Sequence, residues 1–413
     1  MANTTLTADV IAKEALAILE NDLTVFKSFH RAYEEEYASK VNGYMKGDTI
    51  SIRRPADFTV RSGATLSTQD VVEGKVTLTV DQQKGVDFQF SSVDLTLKIE
   101  DLSERVIKPA MSNLINNITD DILTQMYRGV YNYVGAPGTR ITTFAGWSKG
   151  AERLDEMSVP QEDRTSVLCP NDFWGLVGAQ TALYIQDVAK GAYRSGELGM
   201  LGGINTMMSQ VTPTHTVGPL GGTPLVNGAS QVVTYDTAKN TWTSSLITDG
   251  WTAAAASRVK AGDVFTIANV YMVNPKTKTA TNILQQFVVT ADGSSDGSGN
   301  LTLTVSPPII SAAGPYQTVS AAPADNAALT FLGTASTAYR QNMFYHKNTM
   351  ALAMVPLEMP AAAYGGARKT YKDMSVRVVP IYDGTNDISK WRLDVLYGRK
   401  IIDPRLAVRV GGT

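Results

Sequence analysis

This sequence is short of the residues from which active sites are most often built. It holds one cysteine, Cys169, and three histidines, His30, His215 and His346, in 413 residues. A lone cysteine excludes an internal disulfide, so a reducing compartment is the expected setting. The histidines are scattered, with no H-x-x-x-H pair and no cysteine cluster beside them, which argues against a zinc site. An excess of one charge is missing too: 37 Lys and Arg stand against 39 Asp and Glu, a net of −2. No global field draws in nucleic acid or an anionic membrane. No run approaches the ~20 apolar residues of a membrane helix. The opening MANTTLTADVIAKEALA has no basic stretch followed by an apolar core, so no secretory signal is read there. The N-x-[ST] triplets at Asn3, Asn117 and Asn300 then carry no glycosylation meaning.

Glutamate is also absent from a long stretch, between Glu197 and Glu358. There Thr, Ser, Ala and Gly dominate, and apolar residues alternate with polar ones: Leu301, Leu303 and Val305 with Thr302 and Thr304. That period belongs to strands. The segment VKAGDVFTIANVYMV, 259–273, reads as the opening of a small all-β module, and DGSSDGSGN, 292–300, as a turn between two of its strands. The insert is placed at 222–338.

Around it the text is different. The length suggests two to three domains of ~100–200 residues. Charged residues make up 18% and hydrophobic ones 43%, which argues against disorder and for much surface hidden in contacts. Residues 8–21 have Ile11, Ala15, Ile18 and Leu19 at helical spacing. Glu34, Glu35 and Glu36 follow, a charge run that reads as a solvated face rather than a cation site. TISIR, 49–53, and Lys75 to Val80 alternate as strands, with Val76, Leu78 and Val80 on one face. Together they predict a long hairpin over Gly47 to Asp81 with a polar tip and no second layer in sequence reach. An isolated two-stranded hairpin is marginal in water, so its apolar face is expected to lie on an adjacent subunit. Arg53, Arg54 and Arg61 are expected to pair with carboxylates there rather than to hold a phosphate.

The longest helix is predicted from Asp101 to Gly129. Leu102, Val106, Leu114, Ile118, Ile122 and Met126 form its stripe, Asp101 and Glu104 form a near capping box, and Pro109 is expected to kink or divide it. A short strand, SVLCP, and a helix, DFWGLVGAQTALY, follow within mixed α/β text.

Catalytic constellations are weak. Gly293 to Gly297 matches G-x-S-x-G, but a strand follows where a nucleophile elbow needs a helix, so a hairpin tip is expected. Gly199 to Gly203 fits neither dinucleotide nor P-loop spacing and reads as a flexible loop. Asp292 and Asp296 lack EF-hand spacing. Cys169 reads as a buried thiol. No catalytic, cofactor-binding or metal-ligating residue is assigned.

The order of these parts resembles a known family. KGDTISIRRPADF, VVEGKVTLTVDQQKGVDFQFSSVDL and IEDLSERVIKPAMSNLINN look like the extended loop and spine helix of tailed-phage major capsid proteins. The closing DMSVRVVPIYDGTNDISKWRLDVLYGRKIIDPRLAVRV is similar to their last strands. The β insert near KAGDVFTI resembles the inserted domain of the short-tailed Salmonella-phage coat subgroup. The resemblance implies an α+β chain of the Hong Kong ninety-seven (HK97-type) fold with an inserted β-barrel. The implied layout is an N-terminal arm over 1–47, an extended-loop hairpin over 48–92, and a peripheral domain with the spine helix over 93–150, completed by 369–413. An axial domain spans 151–221, completed by 339–368, and the insert takes 222–338. It further implies a structural, non-enzymatic protein with no cofactor. Copies would form hexamers and pentamers of an icosahedral shell around double-stranded DNA, assembled in the host bacterial cytoplasm and found in the virion capsid. Scaffolding, portal and decoration proteins would be its partners, and DNA would be touched only by weak non-specific contact. Two other readings stay open: an encapsulin-like compartment shell, and a glycan-binding module for which Trp242 and Trp251 would have to be exposed rather than core.

Overall fold

A computed structural model of the chain describes residues 8–31, 40–41, 44–45, 49–66, 68–91, 103–181, 198–253, 257–360, 365–371 and 374–412. Two compact units divide it. The first comprises Met1–Ser51, Thr77–Ile122 and Met350–Lys400, and the second Ile52–Val76, Leu123–Thr349 and Ile401–Thr413.

The first unit sets a helix on a sheet. Helix α1 (Ala8–Asp22) buries Ile11, Ala15 and Leu19 as their spacing requires. Leu16 is buried with them, while Ile18 is only half-buried. The helix packs on strands Ala367–Tyr371 and Met374–Asp383. These belong to a five-stranded sheet in which Ile388–Ile401 pairs with Met350–Val355, Met374–Asp383 and Gln82–Ser91. Leu393, Val395 and Tyr397 alternate inward, as do Met374, Val376 and Val378. Asp394 is buried among them and takes the guanidinium of Arg377 at 2.5 Å and that of Arg392 at 3.0 Å.

Helix α2 (Lys108–Gly129) buries Met111, Leu114, Ile115, Ile118, Ile122 and Met126. Pro109 does not kink its middle. It stands in the first turn, where a missing N–H costs no bond. Ahead of it a π-helical turn, Ser103–Ile107, carries the change of pitch. Asp101 lies outside the described residues.

The second unit holds two larger sheets. One has seven strands. Its strand Arg164–Leu168 is buried throughout and pairs parallel with Ile204–Met208 and antiparallel with Ala338–His346. Helix Phe144–Glu156 packs on strand Ala407–Gly411 and on helix Pro170–Thr181. Gly199–Leu201 and Ile204–Met208 form a hairpin turned at Gly202 and Gly203, both with positive φ. The glycine-rich stretch is therefore a tight turn, not a flexible loop, because glycine alone takes two such residues without strain.

Strand β1 (Thr49–Arg53) pairs with β2 (Lys75–Thr79). The insert follows with β3 (Gly222–Val226), β4 (Ser244–Trp251), β5 (Val264–Val273), β6 (Ala280–Val289), β7 (Leu301–Ser306) and β8 (Leu329–Phe331). They hydrogen-bond in the order β3-β4-β7-β6-β5-β8. The two ends nearly close on each other: Val226 N–H donates to the Ala327 carbonyl at 3.0 Å and Asn326 N–H to the Val226 carbonyl at 2.9 Å. Closure leaves little open strand edge. Leu246, Phe265, Ile267, Phe287, Val289, Leu303 and Val305 fill the interior, while Thr302 and Thr304 point out. The β6–β7 turn holds Gly293 to Gly297, and a strand follows it.

Candidate assembly surface

Between β1 and β2 the described residues, 54–66 and 68–74, have no regular structure. Such a loop exposes its backbone and must be held by side chains. Gln69 clips its two limbs: it accepts from Thr59 N–H at 2.9 Å and donates to the Thr59 carbonyl at 2.7 Å. The tip presents apolar side chains to solvent, with Phe58 55%, Val60 98%, Leu66 79% and Val71 64% exposed. Burying such groups is favourable, so an apolar tip on a held loop marks a contact surface.

The base of the loop is charged. Arg54 donates through Nε to the Ile402 carbonyl at 2.8 Å and lies 5.3 Å over the Trp242 ring. Arg405 lies 5.4 Å over the same ring and donates to Asp57 at 2.6 Å and to Asp403 at 2.8 Å. Asp403 caps a short turn, Pro404–Leu406, by accepting from Arg405 N–H at 3.0 Å. Burial raises the Asp403 carboxyl, but the charge and hydrogen bonds of Arg405 outweigh burial and hold it below the usual range. Burial lowers Arg54. All these residues lie in the second unit.

The expected contact residues thus part company. Arg53 is 73% exposed in its side chain and pairs with Glu73 of its own hairpin at 3.2 Å. Arg61, at the tip, donates to the Gly63 carbonyl. Arg54 is engaged inside the chain and is no free partner for a neighbour. Val76 and Leu78 are buried within the single chain, and Val80 is half-buried. Their burial therefore needs no adjacent subunit, because the chain supplies the second layer that no nearby sequence offers. Glu34, Glu35 and Glu36 lie outside the described residues. Nothing in the sequence singles out Asp57, Asp403 or Arg405, and Trp242 reads there only as core or as one half of a glycan patch. Arg54 carried a signal, since it shares the parity of the inward Ile50 and Ile52.

A second polar cluster joins the insert to the rest of its unit. Arg409 is buried and donates to the carbonyls of Tyr127 at 3.0 Å and Gly262 at 2.9 Å. Burial pushes it down to about 10. Asp263 accepts from Lys260 N–H at 2.8 Å and lies 2.7 Å from His215 Nε2. Burial lowers His215, against the pull of its bond to Asp263.

The remaining candidates do structural work. Asp296 accepts from Ser298 N–H at 2.8 Å, as a turn-forming carboxylate does, and Asp292 accepts from Ala261 N–H at 2.8 Å, tying its turn to a distant loop. Cys169 is buried and burial pushes its thiol up to about 11. Among the described residues no cluster of metal-ligating side chains occurs. Trp242 and Trp251 are both buried, so they offer no aromatic patch to a glycan.

The family model described as "P22 coat protein - gene protein 5" matches residues 1–412. The chain belongs to the P22 coat protein family. A major capsid protein of Acyrthosiphon pisum secondary endosymbiont phage 1 is 22% identical over 413 residues, covering 97% of this chain and 96% of that protein. Among solved structures, that of Mycobacterium phage Che8 is 11% identical over 94% of this chain and 91% of that chain, with a TM-score of 0.47. The CUS-3 coat protein I-domain is 28% identical over 27% of this chain and 96% of its own, with a TM-score of 0.20. As a phage coat protein the chain is a structural shell subunit that associates with copies of itself in the virion capsid. Its functional sites are therefore the surfaces that copies bury against one another, and the loop is the first candidate.

Proposed function

We propose that this coat subunit forms hexamers and pentamers that close an icosahedral shell around double-stranded DNA, with residues 56–72 as a lattice contact and no catalytic step. The observation that carries the contact is the exposed apolar tip, Phe58, Val60, Leu66 and Val71. Each would contribute ~1.5–3 kcal/mol if fully buried on a neighbour. The sheet of the first unit carries a groove of about 260 Å³ in which Phe88, Ile381 and Trp391 stand among Asp87, Gln89, Lys390 and Arg392. We assign this groove, on a second copy, as the receiver of the tip. Arg53 and Arg61, exposed beside it, supply charge that fixes register. The proposal extends to assembly in the bacterial cytoplasm with scaffolding and portal proteins, and to a decoration protein on the finished shell. A net charge of −2 supports only weak contact with the packaged DNA. The test is Val60→Ser with Leu66→Ser. The expected subunit is folded, with unchanged circular dichroism, and fails to close shells in electron micrographs. Normal shells would sink the lattice role.

A further inference from the structure

We propose that the insert is the seat of the loop: the cluster around Trp242 fixes the direction in which residues 56–72 leave the subunit, and so couples the insert to the contact between copies. This rests on the lattice role given to the loop above.

Both limbs of the loop are tied at the base. On the outgoing limb Arg54 lies over Trp242, and Asp57 takes the Arg405 guanidinium that lies over the same ring. On the returning limb Tyr316 Oη donates to the Val72 carbonyl at 2.7 Å, and Lys75 N–H donates to Asn240 Oδ1 at 3.0 Å. Tyr316 is itself fixed by a face-to-face stack on Tyr235, 3.4 Å between centroids and 2° between planes. Trp242, Asn240, Tyr235 and Tyr316 all belong to the insert. The loop has no strand of its own, so its course follows the body that holds its ends. Trp242 adopts a left-handed φ of 56°. A bulky residue is strained there, and such strain persists where surroundings over-determine it. Here it brings the indole beneath two guanidiniums.

Gly74 shows how close the two bodies come. A Cβ there would overlap the Lys239 carbonyl oxygen of the insert. Its φ lies outside the left-handed region, so alanine is unstrained in itself and strikes only the seat.

The test is Gly74→Ala in the full chain. In unassembled subunits the Lys75 amide should exchange with solvent at least tenfold faster, with far-UV circular dichroism unchanged. Assembly should give open or miscurved shells. If Gly74→Ala does not fold, Tyr316→Phe removes one hydroxyl from the same seat and is read in the same way at Lys75. The tip variant V60S/L66S serves as companion: it should keep Lys75 protected yet form no shells. Unchanged exchange at Lys75 overturns the seat. Faster exchange with normal shells overturns the coupling while the lattice role survives. Normal shells from the companion overturn the lattice role and the coupling together.

Discussion

The insert and the loop lie in the same unit and are built on opposite terms. The insert's core, from Val226 and Leu246 through Phe287 to Leu329, comes from its own 222–331 segment. The loop has no core. Its anchors come from Trp242, Tyr316, Ile402 and Arg405, far along the chain. Apolar alternation fixes the first, and polar contacts of long sequence separation fix the second. In the proposed lattice role a coat subunit would gain from the difference: a body that folds locally would hold a segment whose side chains stay free for a neighbour.

The broadest way to break the comparison is to separate its halves. Residues 222–338 expressed alone should give a dispersed backbone NMR spectrum with strand shifts. A peptide of residues 49–79 should give coil shifts, since two strands without a second layer are marginal. A coil spectrum from the insert would show that Arg409 and Tyr127, outside it, are required for its fold.

Single truncations give the next largest contrast. Phe265 is fully buried and stacks on Phe331 at 5.1 Å and Phe287 at 5.7 Å between centroids. Phe265→Ala should cost ~3–5 kcal/mol in denaturant unfolding. Leu66→Ala, at the exposed tip, should stay within ~0.5 kcal/mol. A comparable loss at both would mean that the tip is packed in the free subunit.

The seat lies between these extremes. Asp57→Asn leaves Arg405 with Asp403 alone and removes a partly buried charged bond, for which ~1.5–3 kcal/mol is typical. The loss should persist in high salt, because a pair shielded from solvent is screened less. A loss that disappears in high salt would place Asp57 among ordinary surface pairs.

Acid should act on the insert's anchorage rather than on the loop. His215 faces Asp263, Tyr127, Arg409 and Arg128, and burial holds its pKa below the ordinary 6.5. Burial also lowers His346. The unfolded chain therefore binds more protons than the folded one just below pH 6.5, so stability falls as pH drops through that value. Above it the neutral histidine carries no penalty. His215→Gln should flatten the fall in chevron or equilibrium data taken from pH 7.5 to 5.5. An equal slope in variant and parent would remove His215 from the acid response.

Much of the fold was legible because its signals are short-range. Four-apart apolar residues gave α1 and α2, and Thr alternating with Leu and Val gave β7. Of the two outcomes expected at Pro109, a kink or a division, the structure takes the second: a π turn over Ser103–Ile107 gives way to α2, with the proline in its first turn. The loop's seat was hidden for a physical reason. Asp57 and Arg405 stand in polar turns with nothing in their own sequence context to join them, and Trp242 reads as core. Parity was the one usable clue. On β1 it sends Arg53 outward and, continued one residue past the strand, carries Arg54 toward the side of Ile50 and Ile52.

That parity yields the smallest effect. Arg53 and Glu73 form an exposed pair across the hairpin at 3.2 Å. Holding two long side chains in one geometry costs nearly what the attraction gains, so a double-mutant cycle of Arg53→Ala and Glu73→Ala should give a coupling of ~0–1 kcal/mol. Added salt should erase it. The weakness matters for the lattice. A guanidinium held so loosely by its own chain can exchange Glu73 for a carboxylate on a neighbouring copy at little cost, whereas Arg54, bound to the Ile402 carbonyl and over Trp242, cannot. Arg53→Ala should therefore leave subunit stability intact and slow shell closure, most visibly at low salt. A coupling well above ~1 kcal/mol would make Arg53 part of the seat, and the division between the outward Arg53 and the inward Arg54 would fall.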